Sequence, residues 1–193
     1  MRRDELEHLI RASGSILDED GIIVIGSQSI LGEHPENLPR AAIESIEADL
    51  LPFDDFDGRK ADLIDGTIGE ATLFHDTFGV YGHGVGLNTA QLPGGWRERL
   101  VPLANKNTNG VVGYCLETHD LLVAKYLAGR PKDLEFCAAV VAAGFVEEKI
   151  LKARLADTVC TLEQRDLVVA RIGRDFGIGA PGAPGRPKPR PRL

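Results

Sequence analysis

Two acidic residues separated by one position, Glu47 and Asp49, are the first candidates for chemistry in this chain. Residues 45–51 are predicted to form a β-strand that ends at Pro52, and residues two apart on a strand point to the same face. Two carboxylates on one face offer the oxygen ligands that Mg²⁺ takes. We therefore predict a metal site here, with a polar strand face in solvent as the alternative. The alternating residues are then expected to face the core: Ile46, Ala48 and Leu50.

A glycine–serine turn precedes this acidic strand. Residues 21–25 are an apolar, β-branched run that predicts a buried strand, and the run ends at Gly26 and Ser27. A strand that ends in this way and enters a helical turn exposes backbone N–H groups that suit a phosphate, and glycine lets the phosphate approach closely. The Ser27 hydroxyl adds one hydrogen bond. Such turns are common, so only the turn and the acid pair together indicate a site for metal-bound nucleotide phosphates.

A third group of candidates lies between residues 120 and 133. Lys125 is surrounded by apolar residues of a predicted helix, so its ammonium group either extends to solvent or reaches a phosphate. Arg130 and Lys132 follow near the end of that helix, and Asp133 begins the next one. Cations at a helix C-terminus are favoured by the helix dipole in any case, which is the alternative for Arg130.

The elements that must position these residues follow from hydrophobic periodicity and from turn residues. Strands are predicted at 21–25, 45–51, 79–87, 100–104 and 111–116. Helices are predicted at 4–16, 60–68, from the N-cap Thr118 to Gly129, and at 132–143, 146–155 and 161–175. Strands dominate the middle of the chain and helices its C-terminal part. This distribution predicts an α+β fold with a small mixed sheet, helices and a helical C-terminal part.

The same pattern divides the chain into three segments. We expect an α+β core with its N-terminal helix at 1–116, a helical part at 117–176 and a Pro/Arg-rich tail at 177–193. The tail alternates proline with cations and cannot form a core, so we predict that it is disordered. A solubilising tail is the plain interpretation, and a tether for phosphate or RNA is the alternative.

Composition excludes several classes of protein. The net charge of −7 opposes non-specific attraction to nucleic acid, and the three cysteines include no CxxC pair for zinc. No stretch approaches the roughly 20 apolar residues that cross a bilayer, and residues 1–12 do not resemble a secretory signal. Walker A and Rossmann glycine patterns are not found. We therefore expect a cytoplasmic protein with no membrane partner.

Three ring-bearing residues have weaker claims to a function. His75 and His83 have no cysteine nearby, and zinc needs about four ligands, so we interpret both as loop or core residues. Contact with substrate is the alternative, since functional residues concentrate on loops. Trp96 is expected to cover the sheet edge, and stacking on a base is its alternative.

The order of these motifs resembles the nucleotidyltransferase superfamily that includes DNA polymerase β and the minimal nucleotidyltransferases. The matching features are Gly-Ser, the acid-x-acid strand and the block from Asp120 to Asp133, so the resemblance covers roughly residues 20–145. The chain is similar to uncharacterised and toxin-type nucleotidyltransferases of bacterial toxin–antitoxin and abortive-infection systems. It departs from the family pattern at Glu47, where Asp is usual. No later strand carries an evident third carboxylate, and Asn88 and Glu117 are the nearest candidates.

The resemblance implies a role for each matched residue. The metal ligands for Mg²⁺ or Mn²⁺ are Glu47 and Asp49, and the catalytic residues are Asp49, Lys125 and Asp133. The nucleotide-binding residues are Gly26, Ser27, Lys125, Arg130 and Lys132. Asp133 is expected to act as a base or to orient the lysine.

The resemblance also implies a reaction: transfer of a nucleoside monophosphate from a nucleoside triphosphate to a hydroxyl, with release of pyrophosphate. The acceptor is a tRNA 3′ end, a protein side chain or a small molecule. A tRNA-modifying toxin paired with an antitoxin protein is one form of this activity. Two alternatives belong to other classes: a catalytically inactive nucleotidyltransferase fold that binds or regulates a partner, and an unrelated α+β interaction domain.

Overall fold

A five-stranded mixed sheet lies at the centre of the computed structural model, which describes residues 1–177. The strands are β1 (Gly21–Ile25), β2 (Glu47–Leu51), β3 (Tyr81–Gly84), β4 (Val101–Leu103) and β5 (Val112–Cys115). Their order is β3-β2-β1-β5-β4. β1 is parallel to β5 and antiparallel to β2, β3 is parallel to β2, and β4 is antiparallel to β5. The predicted α+β fold is confirmed.

Helices surround the sheet and make up the C-terminal part of the described chain. They are α1 (Arg3–Leu17), α2 (Ile30–Glu33), α3 (Arg40–Ile43), α4 (Arg59–Ile68), α5 (Leu73–Phe78), α6 (Thr118–Ala128), α7 (Pro131–Ala142), α8 (Glu148–Ala156) and α9 (Leu162–Asp175). The sequence did not predict α5. That helix buries none of its residues, so it leaves no apolar periodicity to detect. Its start is capped by Thr72, whose hydroxyl accepts a hydrogen bond from the His75 N–H.

The predicted N-cap of α6 is wrong by one residue. The carboxylate of Glu117 accepts hydrogen bonds from the N–H groups of His119 and Asp120 and therefore caps the helix. The hydroxyl of Thr118 instead donates to the Glu33 carboxylate over 2.7 Å. Glu117 therefore caps α6, and the Thr118 hydroxyl bonds to α2 instead.

One face of the sheet packs closely on α4. A methyl group added at Gly84 would lie 2.1 Å from the Ala61 carbonyl oxygen, so only glycine fits there. Ala48 and Leu50 point to this face and are fully buried, as predicted. Ile46 was predicted to join them, but it precedes β2 and is 46% exposed. Its position before the first ladder pair of the strand explains the error, since the alternation of faces holds only within a strand.

A crossover segment, residues 85–100, connects the two edge strands β3 and β4. It is fixed at its first residue and again at Gly94: the Val85 N–H donates to the Leu50 carbonyl over 2.9 Å, and the Gly94 N–H donates to the Asp157 carbonyl over 2.9 Å. Beyond Gly94, the Arg99 guanidinium donates to the fully buried Asp120 carboxylate over 2.8 Å. The segment is therefore held at β2, α6 and α8 while its middle residues are exposed.

The four helices that follow the sheet share its hydrophobic core. Tyr126 of α6 is fully buried, and its hydroxyl donates to Asp175 of α9 over 2.9 Å. Among residues 1–177, no helix has both the length and the apolar composition that crossing a bilayer requires. The predicted disordered tail lies outside the described residues, except for Gly177. The division into three segments stays a prediction.

Candidate active site

A single pocket contains every residue that the sequence proposed for the site. It has a volume of about 470 Å³, within the range of about 300–1,000 Å³ that small-molecule sites occupy. It lies at the end of the sheet where β1 finishes and β2 begins. The predicted residues that line it are Gly26, Ser27, Glu47, Asp49, Lys125, Arg130, Lys132 and Asp133. Two stretches about 75 residues apart in sequence thus meet in one cavity, while the roles of these residues stay predictions.

His83 joins the two acids, which the sequence did not predict. β3 is parallel to β2 with His83 opposite Asp49, so the two side chains share a face. The Nδ1 atom of His83 lies 3.1 Å from Glu47 Oε1 and 3.5 Å from Asp49 Oδ1. One potential ligand atom from each of the three residues lies within 4.8 Å of the others. The interpretation of His83 as a loop or core residue is wrong, since His83 is an exposed residue of β3. Its place beside the acids is set by the register between β2 and β3.

The electrostatics of this cluster favour a bound cation. Burial raises the pKa of the Asp49 carboxyl, and repulsion from Glu47 raises it further, although His83 and Lys125 oppose the shift. A divalent cation would relieve this repulsion. Two carboxylates and one imidazole form a donor set that could hold such a cation. Carboxylate oxygens suit Mg²⁺ and Mn²⁺, while imidazole favours transition metals over Mg²⁺.

Gly26 is required for the position of the Asp49 carboxylate. Its φ of +70° lies in the region that favours glycine, and a Cβ atom there would lie 1.8 Å from Asp49 Oδ2. Ser27, the next residue, begins a short 3₁₀ turn at the wall of the pocket. The hydroxyl of Ser29 donates to the Gly26 carbonyl over 2.8 Å and stabilises the turn. The glycine therefore brings the turn and the acid pair into contact.

Lys125 is held by a buried carboxylate at the other side of the pocket. Its ammonium group donates to Asp133 Oδ1 over 2.9 Å and lies 4.6 Å from the centre of the Phe136 ring. Arg130 donates to Asp133 Oδ2 over 2.6 Å. Burial opposes ionisation of Asp133, but the hydrogen bonds from Arg130 and Lys125 outweigh it and lower the pKa of this carboxyl. Of the two roles implied for Asp133, this arrangement fits orientation of the lysine, because a low pKa makes a weak base.

A family model described as "Nucleotidyltransferase of unknown function (DUF6036)" matches residues 4–176. The chain belongs to this family. The predicted membership of the nucleotidyltransferase superfamily is thereby confirmed, and nucleotidyl transfer is supported as the general class of reaction. No curated protein and no solved structure matches this chain.

Four further residues, one of them not considered from the sequence, have defined places in or near the site. Ser45 lines the pocket, and its hydroxyl accepts a hydrogen bond from the Glu47 N–H over 3.2 Å. Of the two candidates for a third carboxylate position, Asn88 lines the pocket and Glu117 caps α6. Trp96 packs against the hydrophobic core and is not part of the pocket wall, and its covering of the sheet edge stays a prediction.

The metal site generates a first prediction, on His83. Replacing His83 with Ala removes one ligand and should weaken Mn²⁺ binding by about tenfold or more, whereas His83→Asp should retain binding and favour Mg²⁺ relative to Mn²⁺. Free Mn²⁺ is measured by electron paramagnetic resonance during titration of the protein. His8→Ala is the control, since His8 packs on Phe74 and Phe78. Mn²⁺ binding that His83→Ala and Asp49→Asn both leave unchanged contradicts the site.

The lysine site generates a second prediction, on stability. Asp133→Asn leaves Lys125 without its anionic partner and should lower the free energy of unfolding by roughly 3 kcal/mol at neutral pH. Because the pKa of Asp133 is lowered in the folded state, its contribution is complete above the ordinary value of 3.8 and is lost as the pH falls further. Urea denaturation from pH 7 to pH 3 should therefore show the difference between the two proteins narrowing below about pH 4. A difference that stays constant contradicts this account.

Proposed function

We propose that the protein transfers a nucleoside monophosphate from a nucleoside triphosphate to a hydroxyl group, with Mg²⁺ or Mn²⁺ bound by Glu47, Asp49 and His83. The observation that carries this proposal is that the acidic cluster and Lys125 open into one pocket. A triphosphate needs both a divalent cation and a lysine or arginine contact, and each is supplied from a different part of the chain. The family assignment supports the same class of reaction.

The phosphate groups would lie along the cationic side of the pocket. Lys125 is oriented toward it by Asp133, and Lys132 and Ser27 line the same region. The hydrogen bond to Asp133 raises the pKa of Arg130, and the charges of Asp49 and Glu47 raise it further. These cations would bind the triphosphate and stabilise the negative charge that develops on the leaving pyrophosphate.

The chemical step exchanges one phosphorus–oxygen bond for another. The acceptor oxygen forms a bond to the α-phosphorus, and the bond from that phosphorus to the bridging oxygen of the β-phosphate breaks. Pyrophosphate leaves with the bonding electron pair, and the acceptor proton passes to solvent water. A metal at Glu47, Asp49 and His83 would neutralise charge on the phosphate oxygens. The protein residues contribute by positioning and by electrostatic stabilisation.

The acceptor is proposed from the resemblance of the sequence alone. A tRNA 3′ end is the first candidate, and a protein side chain or a small molecule are the others. The net charge of −7 means that a nucleic-acid acceptor would need a local cationic surface. Arg130 and Lys132, which line the pocket, would be part of such a surface. A toxin paired with an antitoxin protein is the corresponding biological role.

The proposal is tested by transfer of radioactive label. The purified protein is incubated with each α-labelled triphosphate, Mg²⁺ or Mn²⁺, and total tRNA or a protein extract. Asp49→Asn and Lys125→Met should each lower transfer by about a hundredfold or more, because each removes a charge that the transition state needs. Asp62→Asn is the matched control, since Asp62 is exposed on α4.

The outcomes separate the proposal from its main rival. Label transfer that survives both Asp49→Asn and Lys125→Met overturns the assignment of these residues. Mg²⁺-dependent binding of a triphosphate with no transfer to any acceptor favours a catalytically inactive binding or regulatory protein.

A further inference from the structure

The wall of the pocket has a charged part and an uncharged part. A smaller adjoining cavity shares five wall residues with it: Ser27, Ser45, Lys125, Lys132 and Asp133. The uncharged part is formed by residues 88–91 of the crossover segment and by Leu121, Ala124 and Ala128 of α6, which line only the main pocket. We call this part of the wall the neutral region.

The α6 part of the neutral region is apolar. Three residues of α6 line the pocket: Leu121, and Ala124 and Ala128, which follow it by three and seven positions. This spacing places them on one face of the helix. Two of the three are alanines, whose small side chains leave room for a planar group to lie against the helix. Lys125 lies on the same face, beside Ala124. A ligand whose phosphates reach Lys125 would therefore place its next group against this apolar wall.

Two residues of the crossover segment with amide side chains also line the pocket. Asn88 and Gln91 are exposed, and within residues 1–177 neither amide makes a hydrogen bond to another protein group. The amides of Asn105 and Asn107 behave differently, since both donate to the carboxylate of Glu7 over 2.7 Å. The donors and acceptors of the two pocket amides are thus available to a ligand.

We infer that the neutral region binds the nucleobase of the triphosphate, and that Asn88 and Gln91 determine which base is accepted. This inference rests on the proposed function. An amide carries a donor and an acceptor side by side, which matches the paired groups on the edge of a base. The apolar residues of α6 contact the base, and the cations of the pocket bind the phosphates.

The crossover segment is anchored on both sides of these amides. Its hydrogen bonds from Val85 to Leu50 and from Gly94 to Asp157 hold residues 86–93 between two anchored points. The ion pair of Arg99 with the buried Asp120 ties the segment to α6, the helix that supplies the apolar residues of the neutral region. The backbone that carries Asn88 and Gln91 is therefore attached on both sides, and the segment is linked directly to α6.

The test compares the four common triphosphates. Binding of ATP, GTP, CTP and UTP is measured separately by calorimetry in the presence of Mn²⁺, for the whole protein and its variants. The unaltered protein should prefer one or two of the four. Asn88→Ala and Gln91→Ala should each reduce that preference by about tenfold, with the largest loss for the preferred base. Leu87→Ala is the control, because Leu87 lies on the same segment and does not line the pocket.

Two results would overturn the inference while leaving the proposed function intact. The first is equal binding of all four triphosphates by the unaltered protein. The second is a preference that neither amide substitution alters. Failure of the proposed function is recognised separately, since no triphosphate would then bind in a way that Asp49→Asn weakens.

Discussion

The Asp49 carboxylate has close neighbours on two sides. Glu47 lies on the same face of β2, and the backbone turn at Gly26 contacts Asp49 directly. The turn can approach only because residue 26 is glycine, since a Cβ atom there would lie 1.8 Å from Asp49 Oδ2. The opposite face of the strand is buried in the core, so the acid pair cannot rotate away from the pocket. Burial and repulsion from Glu47 make this arrangement unfavourable without an opposing charge. The rest of the site supplies that charge.

Two residues, His83 and Lys125, oppose the negative charge of the acid pair. His83 reaches the acids across the parallel pair of β2 and β3. Lys125 approaches from α6, where Asp133 and the Phe136 ring hold its ammonium group. An anion that bridges the metal cluster and the lysine would satisfy both sides of the pocket, and a triphosphate with its cation has the required charge and length. The acid pair and Lys125, although distant in sequence, therefore lie where one ligand could contact both.

The sequence predicted what depends on local patterns. The sequence predicted the strands and the helix that carry the site from three local features: the apolar run before Gly26, the acid pair, and the apolar run around Lys125 that ends at Gly129. It did not predict the position of His83 beside Glu47 and Asp49, because that position depends on the register between β2 and β3, which no local pattern encodes. The presence of Asn88 and Gln91 in the pocket wall depends on where the crossover segment runs. α5 was missed because it buries no apolar face, and Thr118 was misassigned because Glu33 engages its hydroxyl.

The central claim is that one pocket holds a metal at the acid cluster and a triphosphate between that metal and Lys125. The most direct measurement is a crystal structure with Mn²⁺ and a triphosphate analogue whose α–β bridging oxygen is replaced by methylene, with data collected at the manganese absorption edge. We predict an anomalous peak in contact with Asp49, Glu47 and His83, with a phosphate group next to the Lys125 ammonium. A nucleotide bound elsewhere on the protein, or a metal that contacts none of these three residues, would contradict the account.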